Sequence, residues 1–205
     1  SIVTYEYALI VDPTTVTFDG AGGEKLVTVT STRTKVLNGV KQQPETYPTD
    51  IELAGVGFDY EESGNNYNLK ASENTGSSQR TGKATISQDG GKTAEVTLTQ
   101  NAATVTYEYT CTVDPTTLSF AAAGETKIFG VTATKQKKVN GSNSGIPSAV
   151  TYTTTVQGEG FTKGSSEYSV VAAANTGAQR TGTAVVTTTE GNKTATVTLT
   201  QLAGA

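Results

Sequence analysis

The sequence predicts an all-β protein made of two tandem immunoglobulin-like β-sandwiches, and three observations predict it. The chain repeats itself: residues 74–100 read NTGSSQRTGKATISQDGGKTAEVTLTQ and residues 175–201 read NTGAQRTGTAVVTTTEGNKTATVTLTQ. The well-patterned segments alternate with a period of two, and no segment combines helical period with helical composition. Turn signals fall at the spacing of a sandwich, giving about seven to eight strands per copy.

The opening segments set the period of the duplication. Val3-Thr4-Tyr5-Glu6-Tyr7 returns as Val105-Thr106-Tyr107-Glu108-Tyr109, and Val11-Asp12-Pro13-Thr14-Thr15 as Val113-Asp114-Pro115-Thr116-Thr117. A repeat this long duplicates a domain and is not a solenoid unit of about 20–50 residues. The predicted domains are residues 1–102 and 103–205. The joint, Asn101-Ala102-Ala103-Thr104, has no Gly or Pro run, which predicts a stiff, extended pair with limited hinge motion.

Each element follows from local chemistry. In the first strand Tyr5, Tyr7, Leu9 and Val11 take one face, and Glu6, Ala8 and Ile10 the other. Asp-Pro-Thr-Thr then breaks the ladder, because Pro has no N–H to give. A short strand carries Val16 and Phe18, matched by Leu118 and Phe120; a Gly-containing turn follows, then a strand over residues 25–30 and its copy at 127–132. The copies diverge most over residues 33–53 and 135–156. Asn38-Gly39 and Asn140-Gly141 predict hairpin tips, since both residue types tolerate positive φ, and the second tip extends to Gly145. Past Gly57-Phe58 and Gly160-Phe161, strands are expected at 66–71 and 167–172. Hairpins close each copy: 83–88 with 93–99, turning at Asp89-Gly90-Gly91, and 183–188 with 194–200, turning at Glu190-Gly191-Asn192.

Composition excludes several function classes. The chain carries 15 basic and 19 acidic residues, a net charge of −4, and no basic stripe with interleaved aromatics; nucleic acid is not an expected partner. The first 102 residues hold a charge of −5 (8 basic, 13 acidic) and the remainder +1 (7 basic, 6 acidic). No apolar run approaches the length of about 18 residues that a membrane helix needs, so membrane insertion is not expected. The chain starts at Ser1 with neither a charged nor an apolar leader region, which fits a removed leader, another export route or an excised piece. Cys111 is the sole cysteine and is expected as a small buried hydrophobe. There is no His, no Ser or Cys nucleophile with a visible base, no phosphate loop and no His/Cys metal spacing. No catalytic residue, metal or cofactor is predicted.

The Asp-Pro followed by strand-Phe, the Gly-containing turn and above all Asn-Thr-Gly…Arg-Thr-Gly…Thr-Val-Thr-Leu-Thr-Gln resemble the BACON family. Its members are immunoglobulin-like sandwiches common in Bacteroidota and in the phages that infect them. The resemblance covers nearly the whole chain. It implies a tandem module on an extracellular protein, lipoprotein, glycan-degrading enzyme or virion, and the family's name carries a proposal of carbohydrate binding. Many members have Trp in the middle strands; this chain has none, and Phe58 and Phe161 are expected to hold the equivalent core positions.

The candidate sites divide into structural and binding readings. Arg80 and Arg180 could hold a carboxylate or sugar hydroxyl, or pin the Asn-Thr-Gly loop to backbone carbonyls; the recurrence of the motif with the fold favours the second. Asn74 and Asn175 read as turn-formers. Tyr5, Tyr7, Tyr107 and Tyr109 read as half-buried packing, while Tyr47, Tyr60, Tyr67, Tyr152 and Tyr168, near the variable segments, could stack on sugars or pack at an edge. Asp59, Glu61 and Glu62 could serve a glycosidase or bind Ca²⁺, but the second copy has Thr162-Lys163 there, so a solvated turn is expected. Lys135, Lys137 and Lys138 could meet an anionic surface or guard an edge strand.

The function expected is therefore a non-enzymatic, surface-displayed structural or decoration protein that mediates attachment from a Bacteroidota cell surface or a phage virion. Its localisation would be extracellular, at a cell or virion surface. The partner would be a surface glycan or protein of a host or of its own assembly, with any multimeric state set by that assembly. The expected binding residues are Asn38, Gly39 and Lys41 in the first copy and Asn140, Gly141, Ser142 and Asn143 in the second, because recognition usually lives on loops held by a rigid scaffold. The alternative is a carbohydrate-binding module of a glycan-degrading protein: exposed aromatics converging on one face would favour it, and a threonine-covered face would favour a spacer or decoration role. Strand addition at a free sandwich edge is a further route to assembly.

Overall fold

The computed structural model describes residues 1–204 and divides the chain into two units, Ser1–Thr104 and Val105–Ala205. The first unit contains β1 (Val3–Asp12), β2 (Thr15–Phe18), β3 (Gly23–Leu37), β4 (Val40–Lys41), β5 (Glu45–Thr46), β6 (Asp50–Ala54), β7 (Phe58–Ser63), β8 (Asn66–Ala71), β9 (Arg80–Ser87) and β10 (Thr93–Gln100). One sheet runs β1-β3-β8-β7, with β4 and β5 added to β3; the other runs β2-β10-β9-β6. With β1 and β2 as the two halves of strand A, split at Asp12-Pro13, these orders are ABED and A′GFC, the immunoglobulin arrangement. Strand β2 runs parallel to β10, and every other pairing in the unit is antiparallel.

The second unit repeats the plan with β11 (Val105–Asp114), β12 (Thr117–Phe120), β13 (Glu125–Ile128), β14 (Gly130–Val139), β15 (Ser142–Asn143), β16 (Ser148–Ala149), β17 (Tyr152–Gln157), β18 (Phe161–Lys163), β19 (Ser169–Ala172), β20 (Arg180–Thr188) and β21 (Thr194–Gln201). Its A′GFC sheet is β12-β21-β20-β17, and the opposing strands form β13-β19-β18 and β11-β14-β15. The protein is all-β, two tandem immunoglobulin-like sandwiches.

Alternation puts the apolar residues inside. In β10, Val96 and Leu98 are buried while Glu95 and Thr97 are exposed; β21 repeats this with Val197 and Leu199 against Thr196 and Thr198. Phe18, Val27, Leu69 and Ile86 complete the first core, and Phe120, Phe129, Val170 and Val186 the second. Each such side chain contributes roughly 1.5–3 kcal/mol relative to an exposed one. Phe58 and Phe161 stand where the sequence places them, their rings 6.1 Å from Phe18 and 5.6 Å from Phe120.

The outer faces of the two A′GFC sheets differ. On β21 the outward positions are Thr194, Thr196, Thr198 and Thr200, and the paired outward positions of β20 are Thr187, Val185, Thr183 and Thr181. Outside these, β17 offers Thr153, Thr155 and Gln157, and β12 offers Thr117 and Ser119. Among the described residues, none of these outward positions carries a charged side chain. The matching face of the first unit carries Asp50, Glu52, Lys83 and Glu95 among its threonines.

The expectation for the acidic cluster fails. Asp59, Glu61 and Glu62 do not form a solvated turn: they lie in β7, an edge strand paired along its length with β8. Lys70, on the neighbouring strand, holds the Glu61 carboxylate at 2.5 Å and Glu24 at 3.3 Å.

Candidate functional site: the hairpin tips

Strand β3 serves two partners in succession. Residues 23–27 pair with β8, and residues 28–37 pair with β1. Burial fades along the core-facing side of this second part, where Val29 and Ser31 are buried, Arg33 is half-buried, and Lys35 and Leu37 are exposed, while the opposite side goes from exposed Thr28 and Thr30 to buried Val36. Along β1, Val11 is buried, Leu9 and Tyr7 are half-buried, and Tyr5 and Val3 are exposed. The two strands thus leave the core as a ribbon. β11 and β14 form the same ribbon in the second unit, with Tyr107 facing Lys137 in register.

Asn38 and Gly39 close the first ribbon with φ of 50° and 82°, and Asn140 and Gly141 close the second with 49° and 84°. Positive φ at both central residues is the two-residue hairpin pattern that matches strand twist, and Asn-Gly meets it without a steric penalty. Asn38 also accepts the Ile2 N–H at 2.9 Å through its side-chain oxygen. Beyond the tips, Lys41 pairs with Glu6 at 2.7 Å, and Ser142 and Asn143 pair back with Val139 and Lys138. The seven expected binding residues therefore lie at two separate ribbon ends, one in each unit.

Below each tip a cation lies against tyrosine rings. The Arg33 guanidinium is 4.8 Å from both the Tyr5 and Tyr47 centroids, and its Nε donates to Glu45 at 2.7 Å; the Glu45 bond raises its pKa further. In the second unit Lys135 lies 5.6 Å from the Tyr107 ring and 2.9 Å from Glu190. Lys138 pairs with Glu108 at 2.7 Å. These bonds hold Glu190 and Glu108 below the ordinary carboxylate range, the lysine hydrogen bond being the main cause in each. Tyr5 and Tyr107 are 45% and 50% exposed, so the reading of all four first-strand tyrosines as half-buried holds only for Tyr7 and Tyr109. The ribbon carries the other two beyond the core.

The recurring motif is spent on the fold. Gln100 and Gln201 are fully buried. Gln201 donates to the carbonyls of Ala121 at 2.9 Å and Ala173 at 2.8 Å, and its oxygen accepts Arg180 Nε at 2.8 Å. Arg180 also donates to Ala173 O at 2.6 Å. Arg80 and Gln100 repeat this with the carbonyls of Glu73 and Ser72. Each guanidinium is thus turned inward to backbone. The glycine of Arg-Thr-Gly is a seat for a ring: a Cβ on Gly82 would stand 2.7 Å from the Phe58 ring, and one on Gly182 would stand 2.8 Å from Phe161. Asn74 and Asn175 accept the N–H two residues on, at 3.1 and 3.0 Å, and donate to carbonyls across the loop. They form the turns that the sequence predicts.

The remaining reactive groups are quiet. Cys111 is half-buried at the margin of the second core rather than fully buried as the sequence suggests, and desolvation pushes its thiol up from its ordinary value. Every carboxylate with a resolved shift, Glu61, Glu108, Glu125, Glu167 and Glu190, is shifted down and held as the anion. Among the described residues no group of three or more His, Cys, Asp or Glu is placed to hold a metal ion.

Strand order and pairing define the class, a tandem of immunoglobulin-like domains. No protein-family profile matches the chain, and no curated protein matches it. Among solved structures it is similar to the titin domains Z1Z2 in complex with telethonin, at 11% identity over 97% of this chain and 95% of that one, with a TM-score of 0.38. It is also similar to the human desmocollin-1 ectodomain, at 11% identity and a TM-score of 0.34, covering 94% of this chain and 40% of that one. The tandem Ig repeats of Dlar match at 9% identity, 96% and 97% coverage and a TM-score of 0.30.

Proposed function

We propose that the protein is a non-enzymatic structural or decoration module of BACON type, displayed outside a cell or on a virion, whose ribbon tips mediate attachment. The carrying observation is a division of labour. What the two copies share, the Asn-Thr-Gly loop, the arginine and the terminal glutamine, is used internally to tie backbone together. What they do not share surrounds the exposed tips: the Asn-Gly turn itself recurs, and the residues that follow it, Val40-Lys41-Gln42-Gln43 in one copy and Ser142-Asn143-Ser144-Gly145 in the other, differ. Recognition would then be weak at each tip and strong only in multiple display, since linked copies raise effective concentration without any new contact. The partner class is a surface glycan or surface protein.

The threonine-covered face favours decoration over the alternative of a carbohydrate-binding module. Among the described residues the exposed tyrosines, Tyr5, Tyr60, Tyr107 and Tyr168, make no ring contact with one another, which does not favour a platform of converging rings. The test is retention of the chain on immobilised mucin and plant polysaccharides beside a variant that keeps the chain length and the turn glycines and carries N38G, K41S, N140G, S142A and N143A at the tips. Retention that disappears in the variant supports attachment through the tips. Equal retention by both removes the tips from the account.

A further inference from the structure

One place in the second unit is open where the first unit is closed. In the first unit Val27 and Tyr67 face each other in register and both are buried. The Tyr67 hydroxyl is bonded to Thr49, hydroxyl to hydroxyl at 2.9 Å and to its carbonyl at 2.9 Å. Register places Phe129 and Tyr168 at the positions of Val27 and Tyr67, and Tyr152 at that of Thr49. Phe129 is 3% exposed and takes the core place, while Tyr168 is 46% exposed against 3% for Tyr67. Gly130 stands opposite Asp114 where Thr28 stands opposite Asp12, so a side chain is missing there as well. Together these changes leave a cavity of about 390 Å³, walled by Pro115 and Ile128, flanked by the two tyrosines and lined also by Asp114. That volume falls within the range of small-ligand and side-chain pockets.

We propose that this cavity takes a lysine side chain presented by a partner protein. Charge complementarity selects that occupant. No cation lines the cavity, and among the described residues Asp114 is in no ion pair. The lining side chains offer one carboxylate, two phenol groups and an apolar wall. An ammonium has three donors and no acceptor, so the carboxylate complements it, and aromatic faces attract it further. The apolar wall suits the four-carbon stem, which a lysine buries while its charged head stays paired. An anionic ligand would instead meet the Asp114 carboxylate. A neutral sugar needs several donors for its hydroxyl oxygens, and the only side-chain donors in the lining are the two tyrosine hydroxyls. Ile128, 66% exposed, leaves apolar surface at the same place for the partner to cover. In the first unit Tyr67 fills the equivalent space and the Thr49 bonds hold it there. The inference goes beyond the attachment reading: the cavity lies at the opposite end of the β11–β14 pair from the ribbon tip.

The test titrates a capped alanine peptide with one central lysine into the full chain, up to ~20 mM, and follows amide chemical shifts, which read weak binding. A second peptide carries norleucine in place of the lysine, keeping an apolar chain and removing the ammonium. The lysine peptide should give saturable shifts at the amides of Ile128, Gly130 and Tyr168 with a Kd of ~1–10 mM. The norleucine peptide should bind at least ~3-fold more weakly. Asp114→Asn should weaken binding of the lysine peptide ~3-fold or more, and Tyr168→Leu, which keeps apolar bulk, ~2-fold or more. Both residues are exposed, so the fold is expected to accept the changes, and the amide spectrum checks that it does. Absence of saturable shifts at these amides overturns the proposal. So does equal binding of the norleucine peptide, which would leave an apolar site only, and so does a folded D114N that binds the lysine peptide unchanged. Glucose or galactose that saturates the same amides at lower concentration than the lysine peptide overturns it in favour of a neutral sugar. Cadaverine that binds ~10-fold or more tighter than the peptide overturns it in favour of a free diamine. Failure of the attachment reading appears separately, as glycan retention unaffected by altered tips.

Discussion

The ring of Tyr7 rests on the backbone of Gly90, in the turn between β9 and β10, so closely that a Cβ at that position would overlap it. Tyr109 lies on Gly191 in the same way. In each unit a first-strand ring thus clamps the last hairpin to the base of the ribbon. Gly90→Ala should destabilise the first unit by about 1–3 kcal/mol through overpacking. Gly191→Ala should cost more, because Gly191 also has a φ of +71°, which is strained for any residue with a Cβ by ~1–2 kcal/mol. Urea denaturation of G90A, Y7A and the double variant gives the check: Y7A should absorb much of the G90A effect, and strict additivity would show that the ring contact is not its cause.

The buried glutamines make a sharper prediction. Gln201→Glu preserves shape and should please Arg180, yet it removes the donor that serves Ala121 and Ala173. Ala121 O keeps the Gly124 N–H and Ala173 O keeps Arg180, so the cost is a carboxylate oxygen set against two carbonyl oxygens in a buried site; Q201E should destabilise the second unit, and Q100E the first, by about 1–3 kcal/mol. Thermal denaturation at neutral pH distinguishes the causes, since a raised Tm for Q201E would mean that the arginine contact outweighs the carbonyls.

Acid sensitivity of the second unit should trace in part to Glu167. Its carboxylate is held below the ordinary 4.5, first by the hydrogen bond from Lys163 and then by the Thr154 N–H. A folded-state pKa below the unfolded one contributes stability that is present above about 4.5 and is lost as pH falls through the folded value. Tm measured between pH 7 and pH 3 should therefore fall less steeply for Glu167→Gln than for the natural chain. Parallel curves would remove Glu167 from the acid response.

Cys111 should react slowly. Desolvation raises its thiol above the ordinary 9.0, which lowers the thiolate fraction at pH 8. Reaction with an aromatic disulfide reagent should be slower than for a free cysteine and should recover on unfolding in urea. A native rate equal to that of free cysteine would contradict the burial.

Much of the fold was legible because its signals are local. The alternation ending in Thr-Leu-Thr-Gln predicts β10 and β21 to within a residue or two, residues 66–71 coincide with β8, and the Asn-Gly pairs mark both tips. What was hidden depends on neighbours distant in sequence. Strand β7 is exposed on both faces after Phe58, so it shows no apolar alternation, and its acids looked like a turn. The exposure of Tyr5 and Tyr107 follows from a ribbon that outruns the core, a length that neither strand states alone. Gln88 donates to Ala8 O at 2.9 Å and Ser31 Oγ at 3.1 Å, contacts across three strands that no local pattern announces. The threonine face was visible only as separate Thr-rich strands, because the order β12-β21-β20-β17 that joins them is set by topology. For the candidate site, sequence divergence indicated the right segments, but only the structure showed that the shared Arg-Thr-Gly motif is occupied internally.

The most direct test of the central claim is the retention of the chain on immobilised mucin as a function of display density, with beads carrying one copy or many. Attachment through weak ribbon tips predicts retention that rises ~100-fold or more with density and vanishes in the variant carrying N38G, K41S, N140G, S142A and N143A. Retention that is independent of density, or that survives those substitutions, would contradict it.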